Sequence, residues 1–150
     1  MATGIQLDKK STSGTCSFLG NALVSWFSKK QNCVALSTAE SEYVAAGSCV
    51  AQILWIKQQL LDFEIVFSKV PIMCDNTSAI NISKNLIQHF RTKHIDIKHY
   101  FIRDHVLKGD IELEFVSTSE QLADILTKPL NKKTFISISQ RLGMCDLNEF

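Results

Sequence analysis

In VPIMCDNTSAI, residues 70 to 80, five apolar positions lead into Asp75 and Asn76 before the chain turns apolar again. A carboxylate at the end of a strand that reads as buried has two explanations. Asp75 caps the helix that follows, its side-chain oxygen accepting a backbone N–H, or it faces a ligand, since open α/β sheets place ligands beyond the C-terminal ends of their strands. Two further acids raise the same question. Glu42 heads the line Glu42, Ala46, Cys49, Ile53, Ile56 and Leu60, which falls on one helix face at alternating spacings of four and three. A carboxylate on an inward face needs a partner such as a cation. Asp124 sits on the polar side of a segment anchored by Leu122, Ile125 and Leu126. Singly, each acid is explained as a cap or a solvated charge. Together, without a His or Cys companion, they favour hard cations, Mg²⁺ or Mn²⁺, over zinc. Two such ions about 4 Å apart activate a water and stabilise the departing oxygen in phosphodiester hydrolysis.

The elements that must position these acids are readable from pattern. TCSFLGNALVSWFS, residues 15 to 28, holds two apolar runs around Gly20 and Asn21, the turn chemistry of a two-residue hairpin. A third short strand is expected over residues 32 to 36. Ser37 with Glu40 three residues on forms a capping-box signature for a helix running to about Leu61. Residues 70 to 74 read as a buried strand, 76 to 84 as a short helix, and Thr92 to Lys108 as a helix with Ile95, Ile102 and Val106 on one side and Gly109 as its stop. IELEFV, residues 111 to 116, alternates Ile111, Leu113 and Phe115 on one face, as a strand does. Thr118 with Gln121 opens a helix that Pro129 ends, and residues 132 to 142 form a last helix closed by Gly143. Strands followed by alternating helices and strands predict an α/β fold, one mixed sheet with helices packed on it.

Bulk properties narrow the class without choosing a function. A chain of 150 residues, 45% hydrophobic and 21% charged, is the size and composition of one globular domain. No run approaches the roughly 18 apolar residues of a membrane span, and MATGIQLDKK lacks a signal-peptide core, so an intracellular, cytoplasmic setting is the expectation. Cys16, Cys33, Cys49, Cys74 and Cys145 show no C-x-x-C spacing and read as reduced packing residues. Net charge is only +1, but Lys9 and Lys10, Lys29 and Lys30, Arg91 with Lys93, and Lys128 with Lys132 and Lys133 form basic clusters suited to phosphate if they share a face.

DKKSTSG at 8 to 14, LVSWFSKKQNCVALSTAESEYVAAG at 23 to 47, CDNTSAI at 74 to 80, RTKHIDIKHYFIRDHV at 91 to 106 and EQLADILTKPL at 120 to 130 are five ordered blocks. They resemble the ribonuclease H domain at the C-terminal end of the copia-type LTR retrotransposon polyprotein, and LGMCDL at 142 to 147 looks like the end of that polyprotein. The resemblance covers residues 8 to 147, leaving 1 to 7 as an unmatched remnant and 148 to 150 as a tail. It implies a ribonuclease H-like mixed sheet and hydrolysis of the RNA strand of an RNA/DNA hybrid with two Mg²⁺ or Mn²⁺ ions. Glu42, Asp75 and Asp124 match the family's helix-borne, strand-end and late acids, and so are the implied metal ligands and catalytic residues. Lys29, Lys30, Thr38, Asn76 and Thr77 match substrate-side positions, where phosphates and 2′-hydroxyls of a hybrid are met. His89, His94 and His99 are read as structural or RNA-facing, and His105 as solvated. The implied partner within the parent polyprotein is the reverse transcriptase region, and the implied setting a virus-like particle.

The family carries a fourth acid on its first strand, in a segment of the type Ser-Asp-Ala-Asp-aromatic-Ala-Gly ahead of the block matching DKKSTSG. Thr3 and Gly4 align with the Ala-Gly tail, and Asp8 falls in the following loop, so the expectation is a chain lacking that first strand and its aspartate. A truncated sheet of this kind leaves neighbouring backbone groups unpaired. Two readings follow: a ribonuclease H-like domain with little or no activity, or a non-catalytic fragment that binds nucleic acid or a partner.

Overall fold

Hairpin chemistry dictates the first element. In the computed structural model, which describes residues 10–84 and 93–144, β1 (Thr12–Leu19) and β2 (Ala22–Lys30) pair antiparallel around Gly20, whose φ of +60° suits a residue without a Cβ. A register shift between Ser17 and Phe18 bends the ribbon near its tip. The long helix α1 (Thr38–Leu61) starts as its capping residues require: Ser37 Oγ accepts from the backbone N–H of Glu40 at 3.1 Å, and Glu40 Oε2 accepts from that of Leu36 at 2.7 Å.

The second half is a parallel crossover. β3 (Val70–Cys74) leads through α2 (Thr77–Lys84) and α3 (Lys93–Lys108) to β4 (Ile111–Phe115), which pairs parallel with β3. Gly109, at φ +76°, turns the chain out of α3. Two 3₁₀ turns, Thr118–Glu120 and Leu122–Leu126, precede α4 (Lys132–Arg141), which Asn131 caps through Thr134 N–H at 3.0 Å. The core forms where α1, α2 and α3 close on the parallel pair: Tyr43, Val50 and Ile53 meet Ile72, Ile80, Ile82, Ile102, Ile111 and Leu113. No helix among the described residues is long and apolar enough to cross a membrane.

Several expectations need correction. The described strands form two separate two-stranded sheets rather than one mixed sheet, because β1 pairs only with β2 and β3 only with β4. The class remains mixed α/β. Residues 32 to 36 are not a strand; they turn the chain into α1, and the Leu36 N–H is taken by Glu40. The segment from Thr118 is 3₁₀ rather than α-helical, broken at Gln121, whose extended backbone lets its Nε2 donate to the Met73 carbonyl at 3.2 Å. Phe115 is exposed, at the end of β4. His105 is not solvated: its Nδ1 lies 2.7 Å from Asp110 Oδ2, beside Lys57 Nζ at 3.5 Å from Asp110 Oδ1. His99, expected to be structural or RNA-facing, needs no such correction: it is buried, its Nε2 3.1 Å from the Ile82 carbonyl and its ring against Tyr43, a packing role. The side chains of His89, His94 and Ile95, the thiol of Cys145, and residues 1 to 7 and 148 to 150 lie outside the described residues.

Candidate functional site

Asp75 follows β3 immediately, and its neighbour takes the cap. Asn76 Oδ1 accepts from Ala79 N–H at 3.1 Å and is the residue that caps α2. Asp75 is therefore free of the capping duty. Glu42 stands one turn into α1, half-buried, two residues beyond the Glu40 that serves the cap. Asp124 is carried by the second 3₁₀ turn. That turn is seated on the hairpin at Gly14, where an added Cβ would lie 2.7 Å from Thr127 Cγ2, 2.9 Å from Leu126 Cβ and 3.0 Å from the Ala123 carbonyl oxygen. Ser28 Oγ donates to the Leu126 carbonyl at 2.6 Å, fastening β2 to the same turn.

The three acids, far apart in sequence, thereby share one electrostatic field. Burial raises the Glu42 carboxyl above its usual range, the charges of Asp75 and Asp124 push it further, and Lys128 pulls the other way. Lys128 Nζ lies 2.7 Å from Asp124 Oδ2, and that hydrogen bond holds the ammonium above its usual range. The donor set is wholly carboxylate, the chemistry of a hard cation. As arranged, however, no three His, Cys, Asp or Glu side chains among the described residues stand close enough to hold an ion. Coulombic range is longer than ligating range, and Lys128 supplies the nearby positive charge.

The expected substrate positions adjoin the acid-bearing elements. Lys29 and Lys30 close β2, exposed, just beyond the Ser28 that touches the Asp124 turn. Thr38 is exposed at the start of α1, one turn before Glu42, and Thr77 is exposed at the start of α2. Asn76 Oδ1 serves the cap with one lone pair, leaving its second lone pair and its amide nitrogen for another partner. Sequence reasoning did not foresee Lys128 as the partner of Asp124, although the i,i+4 spacing in the block ending LTKPL carried the signal. The cysteines behave as packing residues: Cys16, Cys33, Cys49 and Cys74 are free thiols, and burial pushes Cys49 up to about 12 with Cys16 adding to it.

The chain is 40% identical over 144 residues to the retrovirus-related Pol polyprotein from transposon TNT 1-94 of Nicotiana tabacum, covering 96% of this chain and 11% of that polyprotein. It is 38% identical over 138 residues to the retrovirus-related Pol polyprotein from transposon RE2 of Arabidopsis thaliana, covering 91% of this chain and 10% of the relative. The truncated transposon Ty1-A Gag-Pol polyprotein of Saccharomyces cerevisiae is 28% identical over 130 residues, 84% of this chain and 11% of its own length. The chain thus spans about a tenth of the length of the relatives it matches. No family profile and no solved structure matches it.

Proposed function

We propose, for what is a stretch of copia-type retrotransposon Pol polyprotein, that Glu42, Asp75 and Asp124 are the acids of a ribonuclease H-type site hydrolysing the RNA strand of an RNA/DNA hybrid. The observation that carries this reading is the convergence of three carboxylates from a helix, a strand end and a 3₁₀ turn, with burial and mutual repulsion raising Glu42. A structural explanation accounts for Asn76 and Glu40, which cap helices, and leaves Glu42 and Asp75 without such a duty.

Mg²⁺ or Mn²⁺, held by Glu42, Asp75 and Asp124, would supply a polarised water and charge for the departing oxygen. The chain's own residues contribute the rest. Lys29 and Lys30 neutralise phosphates, Thr38 and Thr77 offer hydroxyls beside Glu42 and Asp75, and Lys128, paired with Asp124 Oδ2, competes with an ion for that carboxylate. Within the parent polyprotein the partner is the reverse transcriptase region, whose hybrid product would be the substrate, in the particle inside the cell.

A non-catalytic hybrid binder is the second reading, favoured by the Lys128–Asp124 pair and by the lack of a ligating trio among the described residues. One experiment separates the two: Mg²⁺ titration of hybrid cleavage by the 150-residue chain, with Glu42→Gln, Asp75→Asn and Asp124→Asn beside it, and hybrid binding measured in chelator. Metal-dependent cleavage that each substitution removes supports the enzyme. Salt-sensitive binding without cleavage at any Mg²⁺ concentration supports the binder, and neither cleavage nor binding overturns both.

A further inference from the structure

Gln31 follows the last residue of β2 and is buried, at 6% exposure. A glutamine reaches such a position only with hydrogen-bond partners. Its backbone N–H donates to the Ser11 carbonyl at 2.8 Å, extending the hairpin ladder past the Thr12–Lys30 pair. The side chain leaves the hairpin for α1. Its Nε2 donates to Ser13 Oγ at 2.9 Å and to the Ser41 carbonyl at 2.8 Å, with Ser41 Oγ at 3.3 Å. One amide nitrogen thus joins β1 to the first turn of α1, spanning the turn at residues 32 to 36.

Both contacts lie one residue from the acid cluster. The Ser41 carbonyl belongs to the peptide plane whose nitrogen is that of Glu42, so a bond at that oxygen restrains the unit from which the carboxylate projects. Ser13 precedes Gly14, and the turn carrying Asp124 packs on Gly14 through Thr127, Leu126 and the Ala123 carbonyl. The helix's own hydrogen bonds fix α1 internally and leave its placement against β1 to side chains. Gln52 makes a comparable link, its Nε2 donating to Ser25 Oγ at 3.3 Å, about three turns further along α1. Gln31 Oε1, by contrast with its nitrogen, is buried with no hydrogen-bond partner among the described residues. An unpaired interior acceptor costs about as much as an ordinary hydrogen bond returns, so the amide adds little net stability. Its contribution is placement.

We propose that Gln31 is a positioning residue of the acid site: by holding Ser41 and Ser13 on one nitrogen, it fixes where Glu42 stands relative to the turn that carries Asp124. Carboxylates that share an ion need placement to about 0.5 Å. A ten-residue sequence separation between Gln31 and Ser41 does not supply that, and a bond between them does. The inference rests on the reading of Glu42, Asp75 and Asp124 as metal ligands. A merely structural Gln31 acts through stability; a positioning Gln31 acts on ion affinity with stability retained.

The test titrates Mn²⁺ into the 150-residue chain and follows amide signals by NMR, where the paramagnetic ion broadens its neighbours. Glu42 and Asp124 should broaden together in the parent. In Gln31→Met, which keeps the length of the side chain and loses the donor, the Mn²⁺ concentration for half-broadening should rise roughly tenfold. Gln31→Met with Ser13→Ala removes the donor, a buried acceptor and the unpaired Oε1 together, so its urea midpoint should stay near that of the parent while the loss of affinity persists. Ser13→Ala alone removes one of the two legs and should raise the concentration about threefold with the fold retained. Gln52→Met is the control and should leave the titration unmoved. Equal Mn²⁺ affinity in the parent and the Gln31 and Ser13 variants overturns the proposal and leaves the acid reading intact. An equal loss in Gln52→Met also overturns it, because any loosening of α1 from the hairpin would then suffice. A parent chain that does not bind Mn²⁺ overturns the acid reading and the positioning role with it.

Discussion

Gly14→Ala tests how the site is assembled. Gly14 is not at a positive φ, so the substitution introduces no backbone strain, and its cost is one of space alone. The new Cβ would meet Thr127 Cγ2 at 2.7 Å, Leu126 Cβ at 2.9 Å and the Ala123 carbonyl at 3.0 Å, and two of those three neighbours lie on or next to the backbone of the turn that carries Asp124. Overpacking of this kind costs about 1–3 kcal/mol. Replacing glycine by alanine returns about 0.4–1 kcal/mol through the unfolded chain. Space wins, and the net is destabilisation by roughly 1.5 kcal/mol, or about 3–6 °C in Tm for a chain of this size. Urea denaturation and calorimetry read that term. A second readout is specific to the site: as the turn is pushed from β1, Asp124 withdraws from Glu42, and the Glu42 carboxyl, followed by NMR, titrates lower than in the parent. Thr127→Ser in the Gly14→Ala background removes Cγ2, keeps the hydroxyl that donates to the Asp124 carbonyl at 3.2 Å, and should recover part of the stability. Gly20→Ala is the control. There φ is +60° and nothing lies within 4 Å, so stability falls through the backbone while Glu42 titrates as before. A Gly14→Ala chain as stable as the parent, with Glu42 unmoved, would refute the seating of the Asp124 turn on β1.

Further outcomes follow from the same geometry. Lys128→Ala removes a partly exposed pair, worth about 0.2–1 kcal/mol, so Mg²⁺ affinity measured by calorimetry should rise roughly 1.5- to 5-fold and Glu42 should titrate higher. Glu42→Gln should stabilise the fold at pH 8 and not at pH 4: the folded carboxyl titrates above the ordinary 4.5, so its favourable contribution is present below that value and is lost as pH rises through the folded pKa. Urea midpoints of both proteins at the two pH values check the sign. Asn76→Ala should cost about 0.5–2 kcal/mol by uncapping α2, whereas Asp75→Asn should leave the urea midpoint at or above that of the parent.

Legibility tracked how local each signal was. The Gly20-Asn21 turn, the Ser37 cap and the strand at 70 to 74 depend on neighbours within four residues, and all were readable. The stripe from Glu42 to Leu60 lies on one line, and Ala46 and Ile53 of it are core; the line also borders the cavity between β1 and β3, and the core extends one residue over to Tyr43 and Val50. The split into two sheets was not readable in the periodicity, because strand pairing is a long-range choice and each strand's alternation is the same whichever partner it takes. The 3₁₀ form of the Asp124 segment was hidden for a similar reason: Gln121 is pulled out of a helix by the carbonyl of Met73, far away in sequence.

That same remoteness explains why the acids could be found at all. Each stands beside a residue that performs the structural task it might otherwise have been assigned. Glu40 answers the Leu36 N–H, and Glu42 is left on the inward turn; Asn76 answers Ala79, and Asp75 is left at the strand end; Gln121 ties its segment to β3, and Asp124 is left at the bottom of the turn. A carboxylate with no local hydrogen-bonding duty, held half-buried against others of its sign, raises the free energy of the fold. Lys128 relieves the cluster, Asp124 through a direct pair and Glu42 through its charge. If that relief were the whole purpose of the cluster, removing the repulsion by Glu42→Gln would stabilise the chain and take nothing else away. The proposed function requires instead that the same substitution abolish Mg²⁺ binding, so calorimetry on Glu42→Gln decides between a tolerated defect and a retained site.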